Sequence, residues 1–360
     1  MPETTLQPNG ETKEPAQRRK SSQTRYSRPA GVTLGLLAVL VCIAVYVVGL
    51  GAVSISPENV ARCVWSHIAN RASDVSSADD AIVWQIRLPR ILLEILVGGS
   101  LAAAGVAFQA LLRNPLAEPY TIGVSSGASV GVGLVVVLGW SGALNGYATP
   151  LAAFAGASAT LLAVYALART GGRVDVRSLL LSGVIAGAFL WAIQMLLFRL
   201  AHKNDDEILA WMMGSMSSAR WPDVGILAVL SLIAVAGLAM QTRSMNLYSL
   251  GEDSARHLGL EPEPFKASMI GLGSLLAAAT VSVSGIIGFV GLVVPHLARR
   301  MAGTSDHTAV LPVAIVGGAL MTVLADTITR LAFGGELLPV GAVTALLGCP
   351  FFFYLLRKSR

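Results

Sequence analysis

The sequence is poor in charged residues. Of its 360 residues, 13% are charged and 54% are hydrophobic, whereas roughly 25% are charged in a typical soluble domain. This hydrophobic fraction is enough for about nine or ten membrane-spanning helices of ~20 residues each. The composition therefore excludes an ordinary water-soluble globule and leaves little of the chain for a soluble domain.

Residues that build nucleotide, disulfide or metal sites are also scarce. The chain contains no G-x-x-x-x-G-K-[ST] sequence and no Gly-Lys pair, so it lacks the P-loop that cradles a nucleotide. Its three cysteines offer no disulfide framework. The five histidines show no i, i+4 pairing, and we find no Cys or Asp cluster of metal-ligand spacing beside them. We therefore expect no metal site and no cofactor bound by this chain.

The positive charge is concentrated at the beginning of the chain. Lys and Arg outnumber Asp and Glu by 26 to 21, which gives a net charge of +5, and most of this excess lies in residues 1–28. This segment is polar, without an apolar period, and we interpret it as a disordered cytoplasmic leader. A basic flank that keeps the first helix end in the cytoplasm explains the charge better than nucleic-acid binding does. We expect no nucleic-acid partner.

Ten apolar runs of spanning length follow the leader. They cover residues 31–51, 91–112, 117–140, 149–168, 178–198, 224–241, 266–283, 285–298, 308–329 and 339–356. If the leader is cytoplasmic, the loops on its side of the membrane hold most of the Lys and Arg, as the positive-inside rule requires. We predict an all-α, multi-pass membrane protein with ten transmembrane helices over residues 29–360, and with both termini in the cytoplasm.

Glycines are spaced for close contact between helices. Gly123, Gly127 and Gly131 stand at successive fourth positions, which is the pattern of a small-residue packing face in lipid. The same stretch, Gly-Val-Ser125-Ser-Gly, also matches the nucleophile elbow of hydrolases. An elbow needs a preceding strand and an activating His, and an apolar helix supplies neither. We therefore interpret these glycines as packing residues.

Three arginines are found where topology disfavours cations. Arg87 and Arg90 precede the second span and Arg330 ends the ninth, all on the predicted outer side. Cations are unfavourable at a helix N-terminus and are depleted outside the membrane. Two interpretations remain open: pairing with Glu94 and Asp326, four residues away, together with contact to membrane lipid, or an outward basic patch that receives an acidic partner.

A cytoplasmic segment of about residues 242–266 is long for a connector between adjacent spans. Its sequence predicts two short helices, at 246–250 and 252–258, broken at Gly251 and Gly259. Leu250, Ala255 and Leu258 provide apolar points that water would not favour. This segment is therefore expected to dock a cytoplasmic protein.

Four stretches of the sequence then resemble one family. They are RLPRILLEILVGGSLAAAGVAFQALLRNPLAEPYTIGVSSGASVG (87–131), LGEDSARHLGL (250–260), GIIGFVGLVVPHLARRMAGTSDH (285–307) and ADTITRLAFGGELLPVGAVTALLGCPFFFYLL (325–356). In this order they are similar to the FecCD family, the permeases of ATP-binding-cassette importers for iron siderophores, haem and cobalamin. The resemblance extends over roughly residues 30–358.

The resemblance implies a fold like that of the cobalamin permease, a type II importer, in a bacterial cell membrane. It implies a homodimer or a pair with a closely related permease, two separate ATPase subunits that bind ATP, and an extracytoplasmic substrate-binding protein. The permease would not be an enzyme. Its cargo would be an iron chelate, first of all a ferric siderophore. Haem and cobalamin are the alternative cargoes. An ion-driven secondary transporter is the alternative mechanism.

The resemblance also assigns roles to individual residues. Arg87, Arg90 and Arg330 match arginines that face acidic residues of the binding protein, and Asn114 and Leu116 match the cytoplasmic gate. The coupling segment that contacts the ATPase would include Leu250, Gly251, Ala255, Leu258 and Gly259. Glu94 departs from the family pattern, because a small or apolar residue is expected there.

Overall fold

The computed structural model describes residues 16–51, 53–71, 75–201, 204–332 and 339–358. Helices make up almost all of its regular structure. In these residues the only strands are β1 (Arg169–Thr170) and β2 (Arg173–Val174), which pair antiparallel across a tight turn. This agrees with the predicted all-α class, because apolar helices satisfy their own backbone hydrogen bonds in lipid.

The helices alternate between long apolar rods and short connecting elements. In chain order they are α1 (Ala16–Gly49), α2 (Pro57–Ile68), α3 (Ser77–Ala81), α4 (Leu88–Leu112), α5 (Val124–Val137), α6 (Ala148–Ala168), α7 (Val176–Ala201), α8 (Asp205–Met212), α9 (Trp221–Met240), α10 (Thr242–Tyr248), α11 (Glu252–His257), α12 (Pro262–Ser284), α13 (Val290–Ala302), α14 (His307–Ala332) and α15 (Val340–Lys358). A π-helical turn, Ile82–Arg87, leads into α4, and 3-10 turns occupy Pro119–Ile122 and Ala143–Gly146.

Seven helical stretches within the described residues are long and apolar enough to cross a membrane. They comprise α1, the continuous stretch from α3 to α4, α6, α7, α9, α12 and α14. The three other predicted crossings coincide with the shorter helices α5, α13 and α15. The multi-pass helical architecture is confirmed, and the count of ten stays a prediction.

The first helix begins earlier than the sequence suggested. It starts at Ala16, so the part of the predicted leader from residue 16 to 28 is helical instead of disordered. A segment that continues an existing helix needs no new nucleus, and its Gln, Arg and Lys residues are good helix formers. The remainder of the leader, residues 1–15, lies outside the described residues.

Helix α4 lies at the centre of the bundle. Of its most apolar window, 83% is buried inside the chain, compared with 17% for α1 and for α7. It packs against α14, α12, α13 and α9. The outer helices instead present leucine, valine and phenylalanine side chains to their surroundings, as expected for helices that contact lipid.

Glycines allow these helices to approach at backbone distance. A side chain at Gly98 of α4 would overlap the carbonyl of Gly318 in α14, and one at Gly105 would overlap that of Gly291 in α13. Gly127 of α5 meets the backbone of α6 in the same way. The predicted packing role of the glycines in α5 is thereby confirmed.

The bundle has two ends, which we name by one residue each. The Arg90 end contains the beginning of α4, the end of α14 and the beginning of α9, where the indole of Trp221 donates to the carbonyl of Trp84 at 2.9 Å. The Asn246 end contains the end of α4, the beginning of α14 and the helices α10 and α11. Asn246 joins them there by accepting a hydrogen bond of 2.9 Å from the backbone of His307.

The contact between α4 and α14 gives a stability prediction. Gly98→Ala forces a methyl group into the Gly318 carbonyl, and such overpacking costs about 1–3 kcal/mol. Gly271→Ala is the matched control, because a methyl group at this exposed position of α12 meets open space. We expect the melting midpoint in detergent to fall for Gly98→Ala only. Equal midpoints for the two variants would contradict this packing.

Candidate functional site

Arg87 does not face a partner. Only 7% of the residue is exposed, and its guanidinium donates to the carbonyls of Val48 at 2.8 Å and Val53 at 2.5 Å. Val48 lies in the last turn of α1, where backbone carbonyls have no helical partner and a positive charge is favourable. This geometry gives no support to the predicted docking role of Arg87, because the side chain fastens the end of α1 to the beginning of α4.

Arg90 and Arg330 meet at one carboxylate. Arg90 donates to both oxygens of Asp326, at 2.7 and 3.1 Å, and the Nε of Arg330 lies 3.0 Å from Asp326 Oδ2. Glu94 adds a second carboxylate, 3.6 Å from Arg90 Nε. We call Arg90, Glu94, Asp326 and Arg330 the Arg90 ion cluster. It joins α4 to α14 at the Arg90 end.

The Arg90 ion cluster is largely withdrawn from solvent. The side chains of Glu94 and Asp326 are fully buried, and those of Arg90 and Arg330 are 14% and 13% exposed. Of the two interpretations left open by the sequence, internal pairing is the one that the geometry favours, because the two arginine side chains expose little surface.

The opposite end carries the two short helices that the sequence predicted. The break falls at Gly251, whose φ of +112° disfavours other residues, and the second helix is followed by Gly259 with a φ of +87°. The first helix, α10, begins at Thr242 instead of residue 246. It ends at Tyr248, two residues before the predicted end, and the second helix, α11, is reproduced within one residue.

The apolar residues of this segment divide into two groups. Leu250 and Leu258 are 63% and 58% exposed, whereas Ala255 is completely buried. Ala255 therefore offers no exposed surface to a docked protein, and this geometry gives no support to its predicted place in the coupling surface. Helix α11 has only six residues, and so short a helix is not stable without packing. Its buried side, which includes Ala255, provides that packing.

Polar contacts hold α10 and α11 against the spanning helices. Asn246 donates to Asp306 at 2.7 Å. Burial acts to raise the pKa of Asp306, but the hydrogen bonds from Asn246 and Thr308 outweigh it and lower this pKa. The Lys266 ammonium reaches the carbonyl of Val174 and the carboxylate of Glu252. A displacement of α11 would thus be transmitted to α12 and to the β1–β2 turn.

The arginine at the end of α4 touches the same segment. The guanidinium of Arg113 lies 5.7 Å from the ring centre of Tyr248, within the range of a cation–π contact. Burial, together with the nearby Glu252 carboxylate, raises the pKa of Tyr248 to about 12. The phenol therefore stays neutral at physiological pH.

Asn114 and Leu116 form a turn directly after α4. Arg113 ends the helix in the left-handed conformation, with a φ of +47°, and the side-chain oxygen of Asn114 accepts a 2.9 Å hydrogen bond from the backbone of Leu116. Leu116 is 45% exposed. The two predicted gate residues therefore act as one turn, in which Asn114 fixes the backbone and Leu116 projects from it.

A polar network beneath this turn was missed by the sequence analysis. Gln109 accepts from Arg299 at 2.7 Å and donates to the carbonyl of Leu292 at 3.2 Å. Glu118 accepts a 2.7 Å hydrogen bond from the backbone of Phe289, whose left-handed backbone has a φ of +68°. These contacts bind the turn to both ends of α13. Gln109, a polar residue within the apolar run of α4, was the available signal.

A cavity of about 480 Å³ lies near the beginning of α9. Its walls carry many hydroxyl groups, with an arginine and an aspartate at the margin: Thr149, Ser215, Ser217, Ser218, Ser282, Ser284, Arg220 and Asp223. Arg220 and Asp223 pair at 3.2 Å.

The structure also brings together three side chains that ligate metals. Atoms of Cys63, His67 and Asp80 lie within 4.8 Å of one another. The expectation of no metal-ligand spacing was wrong at this point. Cys63 and His67 stand four residues apart on α2, which places them on one face of the helix, and this spacing was a signal that the sequence analysis passed over.

Comparison with known proteins places this geometry in context. Residues 36–358 match the model of the FecCD transport family. The uncharacterized ABC transporter permease protein YvrB of Bacillus subtilis is 42% identical over 282 residues, 78% of this chain and 80% of YvrB. The hemin transport system permease protein HmuU of Yersinia pestis is 38% identical over 335 residues, 90% of this chain and 95% of HmuU.

Two further similarities concern cargo and conformation. The vitamin B12 import system permease protein BtuC of Citrobacter koseri is 40% identical over 286 residues, 79% of this chain and 85% of BtuC. A solved structure of a metal-chelate type ABC transporter in an inward-facing conformation superposes with a TM-score of 0.80 at 31% identity, covering 91% of this chain and 99% of the other.

The Arg90 ion cluster yields a second stability prediction. Asp326→Asn removes the carboxylate shared by two nearly buried arginines, and breaking such a buried pair costs about 3–5 kcal/mol. Glu58→Gln is the matched control, since it breaks the exposed Arg62–Glu58 pair of α2, worth at most about 1 kcal/mol. We expect a clear fall of the melting midpoint for Asp326→Asn alone. Similar midpoints would show that the cluster is not a stabilising contact.

Proposed function

Because the chain belongs to the FecCD transport family, we propose that it is the membrane-spanning permease of an ATP-binding-cassette importer that carries an iron chelate across the bacterial cell membrane. A ferric siderophore is the first candidate for the cargo. The observation that carries this proposal is the pairing of a family match along nearly the whole chain with a bundle that offers different surfaces at its two ends. Haem and cobalamin are the alternatives.

In this proposal the Asn246 end is cytoplasmic and docks a separate ATPase subunit, one for each of two permease copies. Leu250 and Leu258 supply exposed apolar side chains on short helices, a form suited to insertion in a partner's groove. ATP would bind to that subunit, since this chain has no P-loop. The anchoring contacts of Asn246 and Lys266 support the transmission of ATPase movement into α12 and α14.

Transport would proceed by alternating access, in which packed helices shift between two arrangements. Movement of α10 and α11 would reach the turn of Asn114 and Leu116 through Arg113, which touches Tyr248. The exposed Leu116 would then close or open the cytoplasmic side of the path. The contacts of Gln109 and Glu118 with α13 would move this turn together with that helix.

The Arg90 end would face outward and receive the substrate-binding protein. Arg90 and Arg330 would contribute through their exposed edges, whereas Arg87 has no part in docking. The hydroxyl-lined cavity beside Arg220 is a candidate entrance for the cargo. A second copy of this chain, or a closely related permease, would complete the path. The face of α7 with Leu181, Ile185 and Phe189, which are each more than 60% exposed, would contact it or lipid.

The cargo can be tested by uptake in the bacterium that encodes the chain. We expect deletion of the gene to abolish uptake of a labelled ferric siderophore, and a plasmid copy to restore it. Loss of haem or cobalamin uptake instead would select an alternative cargo. Uptake that survives vanadate but stops when the ion gradients are collapsed would contradict the ATP-driven mechanism and favour a secondary transporter.

The coupling surface gives a third prediction. Leu258→Asp places a charge where an apolar contact is proposed, and we expect affinity for the ATPase subunit to fall at least about 10-fold, the effect of losing ~1.4 kcal/mol of interaction. Leu144→Asp makes the same change at a residue 67% exposed in the turn before α6, at the Arg90 end. It is expected to leave ATPase association intact. Pull-down of the ATPase with each variant measures the difference, and equal recovery would refute the assignment.

A further inference from the structure

Cys63, His67 and Asp80 converge on one point at the Arg90 end. The Cys63 Sγ lies 3.1 Å from Asp80 Oδ1, and the Nε2 of His67 lies 3.2 and 3.0 Å from the two oxygens of Asp80. Thiolate, imidazole and carboxylate are three kinds of ligand that Zn²⁺ accepts. None of these residues has a role in the transport mechanism proposed above.

The spacing of these atoms is close to that of a zinc site. Zinc bonds of about 2.0–2.3 Å in a tetrahedron separate neighbouring ligand atoms by about 3.3–3.6 Å. The two measured pairs are a few tenths of an ångström shorter, and the thiol and imidazole already lie within 4.8 Å of one another. Small side-chain rotations are enough to surround an ion with all three ligands.

The surrounding structure holds the ligands in place. Ser56 caps the N-terminus of α2, which carries Cys63 and His67, and Ser76 caps that of α3, which carries Asp80. The His67 ring stacks on Trp84 with 4.1 Å between ring centres and 5° between planes. A fixed imidazole whose Nε2 already points at the carboxylate loses little conformational entropy on binding a metal.

One side of the group is open to solvent. Cys63 is completely buried, whereas the side chains of His67 and Asp80 are 32% and 24% exposed. An ion could therefore enter from the surface and reach the thiol at the bottom. Three protein ligands leave the fourth position of the tetrahedron for water.

We propose that Cys63, His67 and Asp80 form a binding site for one divalent transition-metal ion, with Zn²⁺ as the preferred ion, at the Arg90 end of the bundle. The bound ion fastens α2 to α3 and, through the Trp84 stack, to the π-helical turn that leads into α4. Its role is to stabilise this end of the permease. Binding is independent of the identity of the transported cargo.

The test uses the full-length chain purified in detergent, carrying Cys42→Ser and Cys349→Ser so that Cys63 is the sole thiol. We expect about one Zn²⁺ per chain in equilibrium dialysis and a higher melting midpoint with Zn²⁺, because a ligand that binds the folded state stabilises it. With Co²⁺ in its place, we expect a thiolate-to-cobalt charge-transfer band.

Two ligand variants and one control make the test decisive. Cys63→Ser should abolish the cobalt band. His67→Phe keeps a ring to stack on Trp84 but removes the nitrogen ligand, and should weaken zinc binding at least about 10-fold. His257→Phe, an exposed position on α11, should leave binding unchanged. Equal zinc binding by His67→Phe and His257→Phe, or no zinc binding by the parent chain, would overturn the proposal.

Discussion

The rest of the structure depends on the close packing of one helix on all of its sides. Helix α4 packs against α9, α12, α13 and α14 and also touches α1 and α10, and at Gly98 and Gly105 its backbone meets the backbone of a neighbour. Inside a bilayer the hydrophobic effect does not drive helices together. Contact between two helix backbones therefore depends on small residues, which allow the approach, and on dispersion attraction between the packed atoms. The position of α4 in turn determines which residues stand at either end of the bundle.

Residues of both ends of the bundle lie in or next to this helix. Arg90 and Glu94 lie in its first turns, and the turn of Asn114 and Leu116 follows its last residue. In the proposed function, a helix with an ion cluster at one end and the proposed gate turn at the other would connect events on the two sides of the membrane. The polar network around Gln109 adds α13 to this connection, so the gate turn shares its support with a second helix.

Much of the fold could be predicted from the sequence because apolar periodicity and spanning length are local signals. All ten apolar runs coincide with helices, and the break at Gly251 follows from a backbone that glycine adopts readily. The helical continuation of α1 toward Ala16 was missed because polar composition suggested disorder. The number of membrane crossings does not follow from the lengths of the described helices, because α5 and α13 have only 14 and 13 residues.

The site was less predictable because its contacts join distant parts of the chain. Sequence spacing indicated that Arg90 could meet Glu94, but it could not show that Asp326 would receive both Arg90 and Arg330. Likewise Arg87 looked like an outward cation until the carbonyls at the end of α1 were found to receive it. It is equally hard to predict which side of a very short helix is buried. In α11 that side includes Ala255.

The Arg90 ion cluster also constrains the order in which the protein assembles. Its two halves are 236 residues apart in sequence, so α4 enters the membrane long before α14 is synthesised. Until then Arg90 has only Glu94 as a partner, and both groups must stay near the polar headgroups to remain hydrated. Docking of α14 supplies Asp326 and allows this end of α4 to leave the water. The bundle thus has a late closing step, in which the Arg90–Asp326 ion pair forms as the central helix completes its packing.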